Sequence, residues 1–458
     1  MKTKILFVLT LCLCVFVFYS FAQKANVKLN AKPNAEIQKM IREISAKNIE
    51  ASIRKLVSFG TRNTLSEQDN PTRGIGAARD WIFAEFQKIS NDCAGCLTVE
   101  KQTFLQPKAA RVPEPTNLTN VVATLKGTTD PSRVYRRFRS LRFDVRLAHG
   151  RKMRRAGRKR RRFGHGGSDR TGARDVEAQI RRDDRFYDRR GRRTGTFRRA
   201  LFRRTSRRRE NEHRGNVHQR HYRRRHDAEK FAEPQLKSVV FSEGVPSSET
   251  EAEGNTRRSV GGENDSQSRQ LARFIKEQSD RYLKNFKVWM IYRRDRYLRG
   301  GDHIPFLEKG FTAVRITEAD EDYTHQHQNV RTENGTFYGD TPEFVDFEYV
   351  ANVTRVNMIA LASLALAPAR PKNVGIVTAR LTNDTDLKWD ASTDADLAGY
   401  EVVWRDTTSA EWTNSAFVAA NQTTYTAKSM SKDNYFFGVR AVDRDGNKSP
   451  VVYPRPMR

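Results

Sequence analysis

Outside one anomalous block, the first 366 residues alternate between helix-like and strand-like patterns. Apolar side chains recur at helical spacing in four stretches, and short apolar runs of strand length fall between them. The predicted helices cover residues 37–56, 75–89, 264–283 and 347–366, and the predicted strands cover residues 97–104, 121–125 and 288–292. Asn48 is the candidate break in the first helix. Because helices and strands alternate, we expect an α/β fold.

A different pattern begins after residues 367–371, which form a Pro-containing linker. Residues 372–458 alternate with period two and show no helical spacing, which predicts an all-β domain in which the strand around residues 435–441 ends in a turn at residues 443–447. Trp389 and the strand pattern Tyr435-x-Phe-x-Val-x-Ala resemble those of a fibronectin type III module. The resemblance implies a β-sandwich of two antiparallel sheets. Such a module usually positions or tethers the domain to which it is joined, and none of its residues indicates a catalytic role.

The chain opens with two lysines and an apolar run over residues 5–18, followed by Ser20-Phe21-Ala22. This pattern predicts a signal peptide over residues 1–22, with an uncleaved anchor as the alternative. We therefore expect an exported protein, whether periplasmic, cell-surface or extracellular. We also expect no later segment to be long and apolar enough to span a membrane.

Four cysteines are present, and Cys12 and Cys14 would leave with the signal peptide. Cys93 and Cys96 remain, separated by Ala-Gly. In an exported protein this spacing favours a short disulfide loop over a redox motif or half of a metal site.

A strongly basic block interrupts the predicted α/β domain. Residues 136–225 contain 33 Arg and 2 Lys against 9 Asp and Glu, which is +26 of the formal net charge of +30. A solvated charge run and a nucleic-acid-binding segment are the ordinary interpretations. Neither explains a structureless insertion inside a compact domain, nor the excess of Arg over Lys. Arg is the residue that GC-rich DNA produces when it is translated out of frame, so we interpret residues 136–226 as frame-shifted.

The genetic code supports this interpretation. Regrouping the codons from their second base permits A-N-D-D-A-S-G over residues 158–164 and G-E-E-Q-G-L-F-G over residues 191–199. The same frame permits V-V-S-G-H-Y-D over residues 136–142 and A-M-F-T-N-D-I-I-G-G over residues 216–225. The four strings occur in one frame, and the reading returns to frame between about residues 226 and 238.

In their order, the restored strings resemble the ligand motifs of the M28 family of zinc aminopeptidases. The intact flanks resemble the same family over about residues 35–365, on the segments 58–62, 76–82, 119–127, 301–307 and 324–329. The resemblance implies a mixed sheet flanked by helices in the α/β domain. It also implies two zinc ions about 4 Å apart that activate water against the amino-terminal peptide bond of peptide substrates. The first Glu of the restored pair would act as general base and the second as a metal ligand.

Little of this site carries over to the residues as written. His325 matches a family metal ligand, and Asn329 stands where the family has Asp. His327 competes with His325, and a surface histidine in a polar loop is the ordinary alternative for both. Asp302 and His303 match a substrate-side motif, where we expect His303 to be structural or pocket-lining. No catalytic residue of the family has a counterpart in this sequence, and one histidine cannot hold a zinc ion that needs four ligands. We therefore expect the chain with the sequence as it stands, the literal chain, to be inactive.

Two other functions compete with the peptidase. The literal chain is alternatively a secreted basic protein that binds nucleic acid or an anionic polymer through its Arg-rich block. The block lacks interleaved aromatic residues and a recognisable nucleic-acid fold, so we expect no specific nucleic-acid partner. An adhesive or scaffold protein carried by the C-terminal module is the third interpretation. The sequence leaves the residue preference of the peptidase and the oligomeric state open.

Overall fold

The computed structural model describes residues 33–137 and 236–458. The predicted signal peptide, Cys12, Cys14 and all but the first two residues of the Arg-rich block lie outside the described residues. The helices of the described part are α1 (Ala35–Glu43), α2 (Ala46–Ser58), α3 (Gly74–Asp92), α4 (Glu251–Ser259), α5 (Gln267–Tyr282), α6 (Ile304–Glu308) and α7 (Phe347–Leu366). The strands before the linker are β1 (Leu97–Gln106), β2 (Thr116–Leu125), β3 (Lys237–Phe241), β4 (Lys287–Ile291), β5 (Arg315–Glu318), β6 (Arg331–Glu333) and β7 (Thr336–Tyr338). After it come β8 (Gly375–Val377), β9 (Thr385–Lys388), β10 (Leu397–Asp406), β11 (Asn414–Ala419), β12 (Thr424–Ala427), β13 (Tyr435–Asp443) and β14 (Arg455–Met457).

The first apolar stripe forms two helices rather than one. The Asn34 side chain accepts hydrogen bonds from two backbone N–H groups and caps α1, and Ser45 caps α2 by accepting from the N–H of Asn48. The break therefore lies at Ile44 and Ser45, and the expected break at Asn48 is wrong. Asn48 sits in the first turn of α2, where Ser45 satisfies its otherwise unpaired N–H.

A small mixed sheet forms the centre of the domain before the linker. Its strand order is β4-β3-β5, with β3 parallel to β4 and antiparallel to β5. Helices α5 and α7 pack against it, and the shared core consists of Val240, Ala272, Ile275, Phe286, Val288, Val356 and Ala360. The mixed helix-and-sheet architecture expected from the sequence is confirmed at this level.

Strands β1 and β2 pair only with each other among the described strands. They run antiparallel from Leu97 opposite Leu125 to Gln106 opposite Thr116, and α3 contacts them. No residue of either strand is buried, and Leu105 and Leu125 are 63% and 68% exposed. A pair of strands with this apolar content normally lies within a larger sheet.

The segment after the linker forms two sheets around one core. One sheet has the order β11-β10-β13, and the other has the order β12-β9-β8-β14. The core contains Trp389, Tyr400, Val402, Phe437 and Val439, with the rings of Trp389 and Tyr400 in edge contact at 5.3 Å. Trp389 lies one residue beyond β9 but is 2% exposed, so the predicted alternation holds for its burial. We call residues 372–458 the sandwich.

The sandwich packs on α5 through charged side chains. Asp265, two residues before α5, accepts hydrogen bonds from Arg273 at 2.7 Å and from Arg405 of β10 at 2.8 and 3.0 Å. These three side chains are 0%, 5% and 2% exposed. Arg440 of β13 makes a two-point ion pair with Glu277 of α5 at 2.6 and 3.0 Å. Buried charges need partners, so each side of this interface depends on the other.

Helix α7 satisfies the length and composition test for a membrane span. The expectation that no segment after the signal peptide would do so is therefore wrong. In the structure α7 contacts α1, α2 and α5, and its Val356 and Ile359 are fully buried. The continuous apolar run reflects packing on several sides, as in a core helix of a globular domain.

Candidate functional site

His325 lies in the loop between β5 and β6, against the chain that follows β7. Its Nδ1 is 3.0 Å from the carbonyl oxygen of Gly339. Its ring stacks on Phe344, with the ring centroids 3.5 Å apart and the planes 12° from parallel. The side chain is 17% exposed. The backbone and the aromatic ring therefore fix both the position and the orientation of the imidazole.

The contact with Gly339 also determines which ring nitrogen carries the proton when the imidazole is neutral. A carbonyl oxygen only accepts hydrogen bonds, so Nδ1 of His325 carries the proton and donates it. The lone pair of the neutral ring then lies on Nε2, whose nearest charged neighbour is Asp322 Oδ2 at 3.8 Å. Zinc-binding histidines are held in this way, with the second ring nitrogen donating to a carbonyl or carboxylate oxygen.

His327 occupies a different kind of position. Its backbone φ is +54°, in the left-handed region that non-glycine residues rarely adopt. Burial raises the pKa of Asp340, while the charges of Arg62 and His327 act in the opposite direction. His327 thus lies near a carboxyl and a guanidinium group, but the described structure gives it no ring contact like that of His325.

His303 is buried at the end of the loop between β4 and α6, where α6 starts. It is 7% exposed, and its Nε2 donates to the carbonyl oxygen of Arg294 at 2.8 Å. The same atom lies 3.6 Å from Asp295 Oδ2. The ring therefore holds the loop between β4 and α6 to the start of α6. Asp302 beside it is exposed at the surface of this loop.

Asp295 organises the loop between β4 and α6, a role that the sequence reading missed. Its Oδ1 accepts from the backbone N–H of Arg296 at 2.6 Å and lies 3.7 Å from Arg315 of β5. Its side chain is 3% exposed, and its Oδ2 accepts no hydrogen bond from the described residues. An acidic residue between Arg294 and Arg296 was the available signal, because an isolated carboxylate among arginines commonly serves as their shared partner.

Glu321 joins this loop to the segment that carries His325. It accepts from Arg299 at 2.5 Å and from Arg296 at 3.2 Å, and its side chain is 6% exposed. Burial raises the pKa of Glu321, and the hydrogen bonds from the two arginines lower it by more, so the net shift is downward. The carboxylate thus stays ionised and clamps the two loops together.

Residues 318–325 directly follow the strand-like residues 313–317. This order predicts that they lie beyond the carboxyl ends of the sheet strands, where ligands of α/β folds collect, and the structure differs from that prediction. Glu318 instead pairs with Ser238 at the start of β3, because β5 runs antiparallel to β3. The segment follows the carboxyl end of its own strand but the amino ends of β3 and β4. It then turns back, and Glu321 reaches the loop after β4.

The described residues do not assemble a metal centre. Within residues 33–137 and 236–458, no group of three or more His, Cys, Asp or Glu side chains could hold a metal ion. His325 is the single predicted ligand in this part of the chain, and all but two of the residues of the Arg-rich block lie outside it. Zinc requires four ligands, so the described residues alone do not fit a zinc ion.

Cys93 and Cys96 form a disulfide where α3 ends and β1 begins. Ala94 and Gly95 between them have φ values of +54° and +82°, which a tight loop at a helix end requires. The Ser90 hydroxyl donates to the carbonyl oxygen of Leu97 at 2.7 Å and closes the same corner. The disulfide is therefore part of the connection and is remote from His325 in sequence.

Comparison with known proteins gives several relatives along most of the chain. A probable zinc metalloprotease of Leptosphaeria maculans is 41% identical over 448 residues, covering 93% of this chain and 98% of the relative. A probable zinc metalloprotease of Pyrenophora tritici-repentis is 40% identical over 441 residues, which cover 93% of this chain and 88% of the relative. A probable zinc metalloprotease of Pyricularia oryzae is 38% identical over 444 residues, which cover 93% of this chain and 85% of the relative.

No protein-family model matches the chain. Among solved structures, an Fn3-like protein from Clostridium thermocellum is 22% identical and covers 20% of this chain and 93% of its own, with a TM-score of 0.17. The sequence relatives show the family, because they combine high sequence identity with coverage of nearly their whole length. The chain therefore belongs to the family of these probable zinc metalloproteases.

Proposed function

We propose that the gene specifies an exported zinc aminopeptidase of the M28 type with a C-terminal fibronectin type III module. The enzyme would remove amino-terminal residues from peptides, using two zinc ions that activate water. The names of the relatives support the zinc-dependent protease activity. The aminopeptidase specificity, the export and the module rest on the sequence motifs.

The observation that carries the proposal is the setting of His325. Its Nδ1 proton is donated to Gly339, its ring is stacked on Phe344, and Nε2 keeps its lone pair. A histidine that only lies at the surface of a polar loop needs neither this hydrogen bond nor this stacking contact. In the enzyme, Nε2 of His325 would hold one zinc ion, and the zinc would supply the Lewis acid and the activated water.

The chain as written is proposed to be inactive because residues 136–226 are out of frame. The described chain leaves β2 twelve residues before Arg137 and resumes at Leu236, directly before β3. The uncovered strands β1 and β2 thus border the segment in which the restored reading places the remaining ligands. In a frame-restored chain, the neighbours that β2 lacks would be encoded there.

Resequencing of the coding DNA across residues 130–240 tests the frame shift. We expect one insertion or deletion near residue 136 and a compensating one near residue 226. Both forms of the chain would then be expressed and purified, and their zinc content and hydrolysis of aminoacyl-p-nitroanilides would be measured. We expect the frame-restored chain to bind zinc and to lose its activity in EDTA, and the literal chain to do neither.

An unchanged DNA read would contradict a sequencing error. The organism would then encode the Arg-rich block, either in a family member without its site or in a basic binding protein. A frame-restored chain that binds zinc but cleaves no aminoacyl substrate would contradict the aminopeptidase specificity. A frame-restored chain without zinc would contradict the proposal as a whole.

A further inference from the structure

The sandwich is linked, through Asp265 and Ser266, to the residues that directly follow β3. Arg405 of the sandwich holds Asp265 at 2.8 Å. The next residue, Ser266, donates from its hydroxyl to the carbonyl oxygen of Glu243 at 2.6 Å and from its N–H to that of Gly244 at 3.3 Å. Arg405, Asp265, Ser266 and Glu243 are all less than 9% exposed. A buried chain of hydrogen bonds therefore runs from the sandwich to the carboxyl end of β3.

A second connection reaches the residue that directly follows β4. The carbonyl oxygen of Ala410, in the sandwich loop after β10, accepts from Arg273 Nε at 2.8 Å and from the hydroxyl of Tyr292 at 3.1 Å. The Tyr292 ring lies on the guanidinium of Arg269, 3.7 Å from the ring centroid. Arg269 is 1% exposed and donates to the carbonyl oxygen of Ser242 at 2.8 Å. The two connections therefore meet at the same edge of the sheet.

We propose that the sandwich is a positioning element of the peptidase, with Arg405 as its principal positioning residue. Through Asp265 and Ala410 it holds residues 242–247 and the loop of residues 293–301 at the carboxyl ends of β3 and β4. The loop bears Asp295 and leads to Asp302, on the side where the resemblance places the substrate. The inference rests on the proposed function for its catalytic consequence, and on the contacts alone for its structural one. It differs from a tether, which would leave these loops unchanged when the sandwich loosens.

Arg405→Met in the full-length chain is the decisive variant. The substitution keeps much of the side-chain volume and leaves Asp265 paired with Arg273 and Gln270, so the chain should still fold. Arg455→Met is the matched control, because Arg455 is 80% exposed and lies 3.9 Å from Glu253 at the sandwich surface. Amide hydrogen exchange followed by mass spectrometry would be measured for both variants and for the unchanged chain.

In Arg405→Met we expect residues 242–247 and 293–301 to exchange about tenfold faster than in the unchanged chain, with α7 unaffected. The control variant should exchange as the unchanged chain does. Unchanged exchange in both loops would overturn the inference and leave the sandwich as a tether. An equal acceleration everywhere would also overturn it, because Arg405 would then contribute only to global stability.

The catalytic consequence is measured separately in the frame-restored chain. Arg405→Met should raise KM several-fold with little change in kcat, since the loops hold substrate and carry no reacting group. A frame-restored chain without activity would contradict the proposed function, while the exchange measurement would still decide the positioning role. A fall in kcat at constant KM would contradict the assignment of these loops to substrate binding.

Discussion

Replacing Asp265 by Ala should remove much of the stability of the interface between α5 and the sandwich. The carboxylate is fully buried and accepts hydrogen bonds from Arg273, Arg405 and Gln270 at 2.7–3.0 Å. Without it, two guanidinium groups that are 5% and 2% exposed lose their shared counter-charge. Breaking a buried ion pair by removing one partner costs about 3–5 kcal/mol, so we expect a loss of about 4 kcal/mol.

Urea unfolding followed by tryptophan fluorescence would measure this loss. Trp412 donates to Gln270 at 3.1 Å and lies beside both arginines, so its emission reports on the interface. With a denaturation slope of about 3 kcal/mol per molar, the midpoint should fall by about 1.3 M.

Glu411→Ala is the matched control in the same region. Glu411 is 52% exposed and lies 3.5 Å from Lys276, so its loss should cost less than about 0.5 kcal/mol. If Asp265→Ala costs no more than this control, the buried charges do not hold the interface and the reasoning is wrong. A loss of stability with an unchanged Trp412 signal would instead place the effect elsewhere in the chain.

Three further predictions concern separate features. Burial raises the pKa of Glu401, but its two cationic neighbours lower it by more, to about 2 against 4.5 for the free side chain. The ionised carboxylate therefore contributes about 3 kcal/mol of stability above pH 4.5, and this contribution is lost as the pH falls toward 2. Thermal unfolding across this pH range should show the loss, and a Glu401→Gln variant whose stability falls equally steeply in acid would refute the prediction. Replacing Cys93 and Cys96 by Ser should lower the free energy of unfolding by about 2 kcal/mol, the value for a loop this short, as measured by urea titration without reductant, and an unchanged midpoint would count against a structural disulfide. In the frame-restored chain, His325→Gln should reduce the bound zinc from about two ions to about one by elemental analysis, whereas the His327→Gln control should keep both, and the reverse result would exchange the roles of the two histidines.

The long C-terminal helix of the α/β domain was predictable because its local signals agree. Asp346 accepts from the N–H of Tyr349 as the helix cap, the apolar run is continuous, and Pro368 prevents its extension. The predicted bounds of residues 347–366 are those of α7. No long-range information was needed to place this element.

The outer face of β13 was not predictable in the same way. The alternation of Phe437 and Val439 correctly indicated the core face, but Arg440 between buried neighbours is itself 6% exposed. Its guanidinium pairs with Glu401 of β10 and with Glu277 of α5, which lies 163 residues earlier. A sequence pattern marks arginine as a surface residue, and only the fold brings together the two carboxylates that permit its burial.

Some features of the candidate site were likewise predictable from the sequence, and others were determined only by the fold. The residue type and the loop position of His325 followed from the sequence, whereas its proton donation to Gly339 and its stacking on Phe344 required the fold. Asp295 and Glu321 were missed because their importance lies in burial among arginines, and neighbouring arginines in the sequence do not by themselves show that a carboxylate is buried. Local periodicity therefore located the loops, and tertiary contacts determined what they do.

The charged interface between α5 and the sandwich has an evolutionary consequence. Sandwich modules commonly move between genes as independent units, and an exchange is harmless when the surfaces that meet are solvated. Here Arg405 and Arg440 find their carboxylates, Asp265 and Glu277, across the boundary. A peptidase that acquired this module without Asp265 would bury Arg405 without its carboxylate, and one without Glu277 would leave Arg440 with Glu401 of the sandwich alone. We therefore expect these four positions to covary among relatives, so that the two domains are inherited as one unit.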